Sequence, residues 1–143
     1  MSIHPLPVRL EVSSHRPHGD TDVKYLCLIH LDHDAFARLS GAQCASLASE
    51  CLAYRDDLQR GGQLIAAGFL QPLRAATSLR LRGADPCLDA GPCLPARDPL
   101  CGFYLIEAAD LNDAIRLTAH APSARHGCIE IRAVHGAALP LPH

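Results

Sequence analysis

The chain has 143 residues, the length of one ordinary domain, and its 48% apolar content is that of a protein with a core rather than of a disordered tail. Thirteen basic side chains against fifteen acidic ones leave a net charge of −2, and there are three Tyr, three Phe and no Trp. This composition argues against a polybasic membrane-surface or nucleic-acid binder, and the longest apolar run, Leu64–Leu70, is far short of the roughly 18 residues a membrane span needs.

Residues 1–22 hold three prolines and three histidines and read as a partly flexible extension in which Val8–Val12 alternates like a short edge strand. No apolar signal-peptide core is present before Pro17, so a cytoplasmic protein is expected. Lys24–Leu31 reads as a strand that is apolar at nearly every position and so needs cover on both faces. His30-Leu31-Asp32-His33-Asp34 is its polar end running into a loop, and its metal-like look is set aside. Ser40 with Gln43 forms a capping box. It opens a helix over about 40–61 whose stripe is Cys44, Leu47, Ala48, Cys51, Tyr54 and Leu58, closed by Gly61-Gly62.

Gln63–Gln71 is a second strand. Ala76–Arg82 is a third, and a turn at Gly83–Pro86 leads into a return strand, so about 76–93 forms a hairpin. Cys101–Ala108 is a strong strand, again apolar on both faces. Asp110 caps a second helix over about 110–121 with the stripe Leu111, Ala114, Ile115 and Thr118, ended by Pro122. Cys128–Val134 is the last strand, and 136–143 is a Pro-containing tail. Three parts result: an extension (1–22), one domain (23–135) and a tail (136–143).

Without the hairpin the order is βαββαβ, the ferredoxin-like plan. The expected fold is therefore α+β, an antiparallel sheet with two helices on one face and an inserted β-hairpin. Two helices cover only one face, so strands apolar on both sides predict a homodimer that packs sheet on sheet. Folding of residues 1–22 or of the hairpin over the second face is the lesser alternative.

Seven cysteines, an odd number, point to reduced thiols rather than a disulfide framework. No C-x-x-C occurs and the spacings fail for zinc, so neither metal nor cofactor is expected. Nine histidines would carry the formal charge from −2 to −2 + 9 = +7 if all were protonated.

Several blocks together resemble a known family: Lys24–Ile29, Leu70-Gln71-Pro72, Ala76-Thr77, Leu79–Arg82, Gly102–Ala108, Asp110-Leu111, Ala114-Ile115 and Ile129–Arg132. Over about residues 24–134 the chain is similar to the YCII-related proteins of the DGPF subgroup. The resemblance implies a dimeric α/β-barrel of ferredoxin-like protomers, a biochemical role mostly unassigned, and a link to transcription through neighbouring alternative sigma factors. Where the subgroup reads Asp-Gly-Pro-Phe, this chain reads Asp89-Ala90-Gly91-Pro92-Cys93, a degenerate loop. In the enzyme-like branch a His on the first helix and an Asp after the second resemble a catalytic dyad. The matching positions here are Cys51 and Ala121, so neither functional residue carries over.

Cys51 is nevertheless a candidate nucleophile, provided a cation lowers its pKa; Glu50 acts the other way, and the plainer alternative is a core thiol. Tyr54, Arg80, Arg82 and Arg132 are candidates for a cleft or anion site, since guanidinium groups bind carboxylate and phosphate. The plainer alternative for the arginines is ion pairing with Glu107 and Glu130. Two functions follow. One is a non-catalytic, regulatory module that binds a small molecule or a protein partner, with no role for nucleic acid or membrane. The other is a hydrolase-like or isomerase-like enzyme working in the barrel cleft.

Overall fold

The computed structural model describes residues 11–12, 22–94 and 97–135. The expectations for Val8–Leu10, for the rest of the extension up to residue 21, and for the tail 136–143 lie outside the described residues. The elements run β1 (Glu11–Val12), β2 (Val23–Leu31), α1 (His33–Ala37), α2 (Gly41–Arg60), β3 (Leu64–Phe69), β4 (Thr77–Arg82), β5 (Asp85–Ala90), β6 (Leu100–Ala108), α3 (Leu111–Thr118) and β7 (Gly127–Ala133). Short 3₁₀ turns span Leu73–Ala75 and Pro122–His126.

Five strands form one antiparallel sheet in the order β1-β3-β6-β2-β7. Leaving aside β1 and the hairpin, the order of the four long strands is that of a ferredoxin-like α+β fold. The two central strands, β2 and β6, are those whose sequence is apolar on both faces. Strands β4 and β5 pair only with each other, as a separate two-stranded sheet. Their turn is Gly83-Ala84, with Gly83 at φ 63°, a conformation that favours glycine.

The core lies between one sheet face and the two long helices. Tyr25, Cys27 and Ile29 of β2, Tyr104 and Ile106 of β6, and Leu64 and Ala67 of β3 meet Tyr54 and Leu58 of α2 and Ala114 and Leu117 of α3. Ile29 and Ile106 are each 1% exposed, and burial of side chains of this size stabilises the fold by about 1.5–3 kcal/mol each. Side chains alternate along a strand, so Leu26 and Leu28 of β2 and Phe103 and Leu105 of β6 occupy the opposite face, where they are half-buried.

Helix α2 forms as its capping box dictates. Ser40 Oγ accepts the Gln43 N–H at 3.1 Å and Gln43 Oε1 accepts the Ser40 N–H at 2.8 Å. At its far end Gly62 takes φ 77°, and the Gln63 N–H returns to the Leu58 carbonyl. The buried stripe is Leu47, Cys51, Tyr54 and Leu58; Cys44 is half-buried and Ala48 is exposed.

Three expectations are corrected. The chain after β2 is a short helix, α1, rather than a loop: the Asp32 carboxylate accepts the Asp34 and Ala35 N–H groups at 3.0 and 3.2 Å and so starts a turn too brief for periodicity to reveal. Helix α3 ends at Thr118, not near 121, because Ala121 precedes a proline and is held extended. Its buried side is Ala114, Leu117 and Thr118, while Leu111 and Ile115 remain 50% and 47% exposed. Small Ala114, with no exposure at all, packs in the core with the sheet residues, so the helix turns that side inward.

Candidate functional site

A groove of about 730 Å³ lies between α2 and the segment joining α3 to β7. Its floor is apolar, from Leu58, Leu117 and Ala121. Its polar walls are Glu50, Tyr54 and Asp57 of α2, Gln63 just beyond it, and His120 and Arg125 opposite. The spacing of Glu50, Tyr54 and Asp57 places them on one side of the helix. An ion pair between Arg125 Nη2 and Glu50 Oε2 ties the two walls together across 75 positions of sequence. Asp57 is engaged by Arg60 one turn along.

Tyr54 sits between groove and core. Its hydroxyl donates to the Leu117 carbonyl at 2.9 Å, and its ring meets Tyr104 edge-on, with centroids 5.3 Å apart. Burial raises the pKa of both phenols, with the nearby Tyr104 adding to the effect on Tyr54. Tyr54 is thus a neutral hydrogen-bond donor whose proton is already used.

Cys51 points into the packed side of α2, and burial raises its thiol pKa. The Glu50 carboxylate raises it further and Arg125 lowers it by less. A thiol held in this way stays protonated near neutral pH and is a poor nucleophile. Ala121, 3% exposed, presents only a methyl group, and its backbone N–H is occupied by the Thr118 carbonyl at 2.9 Å. Neither of the two positions singled out by the family resemblance carries a group that transfers protons readily.

Two more thiols are shielded. Cys27 Sγ approaches Thr118 Oγ1 at 3.6 Å, and burial raises its pKa against that hydrogen bond. Cys101 donates to the Ile29 carbonyl at 3.3 Å, and burial pushes its pKa up to about 11. Among the described residues no group of three or more His, Cys, Asp or Glu side chains is placed to hold a metal ion.

The three candidate arginines divide between two elements. Arg80 and Arg82 lie on β4 of the hairpin, where Arg80 reaches the Cys93 carbonyl at 3.5 Å. Arg132 lies on the edge strand β7 and pairs with Glu130 of the same strand at 3.7 Å. No hydrogen bond or ion pair among those described joins the three, and none of them lines the groove. Tyr54 is the only one of the four cleft candidates that does.

Sequence reasoning missed Glu50 as a groove residue, together with Asp57, Gln63, His120 and Arg125. The available signal was slight: a polar run around Pro122, with His120 and Arg125 on either side, directly after a helix. Among the described residues no helix is long and apolar enough to cross a membrane. No curated protein matches the chain. The YCII-related domain model matches residues 23–136, most of the chain and all four long strands of the sheet, and the chain belongs to that family.

Proposed function

We propose that this YCII-related protein is a homodimeric, non-catalytic module that binds a small molecule in the groove between α2 and the 119–125 segment. One observation carries the reading: a groove of about 730 Å³ persists beside positions that hold a shielded thiol, Cys51, and a methyl group, Ala121. Binding surface is retained where proton-transfer groups are not. The walls bear both signs of charge, Glu50 and Asp57 against Arg125, over an apolar floor. That combination suits a polar or zwitterionic small molecule with an apolar body. A regulatory role, including one linked to sigma-factor-dependent transcription, fits a protein that binds without turnover. The odd number of cysteines supports a reducing, cytoplasmic setting.

The dimer rests on the second sheet face. Leu26, Leu28, Phe103 and Leu105 are apolar and only half-buried in a single chain. Packing sheet on sheet would cover them. The enzymatic alternative draws on His120, an imidazole that lines the groove.

A thermal-shift screen of polar and zwitterionic metabolites, read on wild type, Cys51→Ala and Arg125→Ala, tests the reading. A hit should stabilise wild type and Cys51→Ala alike, lose its effect in Arg125→Ala, and remain chemically unchanged by NMR after prolonged incubation. Turnover abolished by His120→Ala or Cys51→Ala would establish the enzyme instead.

A further inference from the structure

One exposed cysteine stands beside a histidine on the main sheet. In the register of β2 with β7, His30 is directly opposite Cys128. Opposite residues share a face, with Cβ atoms about 4.5–5.5 Å apart. That face is the outer one, because the alternate residues Tyr25, Cys27 and Ile29 of β2 point into the core. The outer row of β7 is Cys128, Glu130 and Arg132, all exposed, so the apolar part of this face stops at β2. Cys128 therefore occupies a polar corner of the sheet, near the start of an edge strand.

The backbone holds the pair in register. Just before β7 begins, the His126 carbonyl accepts the Asp32 N–H at 2.9 Å, and on the other side of β2 the Pro99 carbonyl accepts the Leu31 N–H at 3.3 Å. Gly127 comes so close to His30 that a Cβ there would collide with the His30 carbonyl oxygen. The imidazole is oriented as well. Its Nδ1 lies 3.2 Å from the Asp98 carbonyl oxygen. A carbonyl only accepts, so Nδ1 carries the proton and Nε2 keeps a lone pair. Asp98 immediately precedes β6, which flanks β2 on the side away from β7. With Nδ1 turned to that side, Nε2, at the far corner of the ring, faces β7 and Cys128. Asp98 also brings a carboxylate whose Oδ1 is buried with no hydrogen-bond partner among the described residues. A negative charge there favours the imidazolium that forms when Nε2 takes a proton. Glu130, next in the outer row, is paired with Arg132 at 3.7 Å, which tempers its repulsion of a thiolate.

We propose that Cys128 and His30 form a thiol–imidazole pair that exchanges with low-molecular-weight disulfides, which makes Cys128 a site of reversible S-thiolation. His30 Nε2 takes the Cys128 proton, and the thiolate attacks one sulfur of the disulfide. A new S–S bond joins Cys128 to that sulfur as the old S–S bond breaks. The departing thiolate takes the proton from the imidazolium and leaves as a free thiol. Cys128 is oxidised and the departing sulfur is reduced, so the disulfide itself is the only oxidant. The thiolate is the reactive form of cysteine, and a base held beside the thiol separates Cys128 from a cysteine that is merely exposed. Cys93, exposed on the stretch after β5, supplies that comparison within the same molecule. Neither His30 nor Cys128 lines the groove, so the pair is independent of the function proposed for it.

The test incubates wild type and His30→Gln with excess oxidised glutathione near pH 7.5 and times the mixed disulfide at each cysteine by peptide mass spectrometry. In wild type Cys128 should react at least about tenfold faster than Cys93. In His30→Gln its rate should fall to within about twofold of Cys93, whose own rate should not change, while Cys27 and Cys51 stay spared as the sign of an intact fold. Nitrogen-15 NMR of the wild-type imidazole, which needs no variant, should show His30 protonated on Nδ1 alone. Equal rates at Cys128 and Cys93 in wild type would overturn the pair. So would a fast Cys128 in His30→Gln, or a His30 ring that carries a proton on Nε2. The wild-type rate ratio and the NMR decide alone if the variant unfolds.

Discussion

Cys51 shows how position on a helix decides chemistry. A cysteine on the inward stripe of α2 loses its water, and with it the stability of the thiolate; the adjacent carboxylate of Glu50 adds to the penalty. We expect brief iodoacetamide treatment of the native protein near pH 7.5 to modify the exposed Cys93 and Cys128 and to spare Cys51 and Cys27, as read by peptide mass spectrometry. Rapid labelling of Cys51 would show that a cation activates it after all. Asp113 illustrates the opposite shift. The Ala109 N–H donates to its carboxylate at 3.0 Å and Arg116 to its other oxygen at 2.6 Å, and these bonds lower its pKa. A folded-state pKa below the unfolded one means stability that is present above the unfolded value and lost as pH falls through the folded value. Asp113→Asn should therefore cost about 0.5–1 kcal/mol at pH 7 and almost nothing near pH 2, which urea melts at the two pH values would reveal. At this scale the sequence was legible where neighbours decide the chemistry, as with Glu50 beside Cys51. It was illegible where the partner is distant. Nothing in local spacing announces that Arg125 meets Glu50, because that pairing exists only once α2 and the 3₁₀ turn at Pro122–His126 have packed.

Elements were readable wherever a cap and a period agreed. Ser40 and Gln43 declared the start of α2, and three- and four-residue spacing declared its inner side. Replacing Ser40 with Ala removes a side-chain acceptor from the first turn and should cost about 1 kcal/mol in chemical denaturation. Helix α3 was harder because only eight residues carry its period. Size suggested that Leu111 and Ile115 point inward, whereas fit against the sheet favours Ala114 with Leu117. The start of β7 depends on a feature that periodicity never shows. A Cβ on Gly127 would lie 2.0 Å from the His30 carbonyl oxygen and 2.8 Å from Leu31 Cα, both backbone atoms of the neighbouring strand. Gly127 itself is extended, at φ −179°, so the constraint is space and not dihedral preference. Gly127→Ala should push β7 off β2 and cost at least about 2 kcal/mol, seen as a lowered melting temperature with lost amide protection at Cys128–Ile131.

Across the whole molecule, stability is distributed unevenly, and the topology says how. Strands β2 and β6 each pair on both sides and carry most of the core, whereas β4 and β5 have only each other. Strand count and order were accessible from the sequence because apolar runs and turn residues punctuate the chain clearly. The independence of the hairpin was not, since a hairpin in its own sheet and one added to the main sheet share the same alternation and the same turn. Amides of Tyr25–Ile29 and Gly102–Ile106 should open only with global unfolding and exchange most slowly of all. Hairpin amides at Leu79, Leu81 and Leu88 should open at a far smaller free energy, because β4 and β5 pair only with each other. Hydrogen exchange followed by mass spectrometry should show peptides over 77–90 exchanging at the earliest time points while the β2 and β6 peptides stay protected. Protection over 77–90 as high as that of the β2 and β6 peptides would mean that the hairpin does not stand apart from the main sheet in solution, against the pairing of β4 with β5 alone.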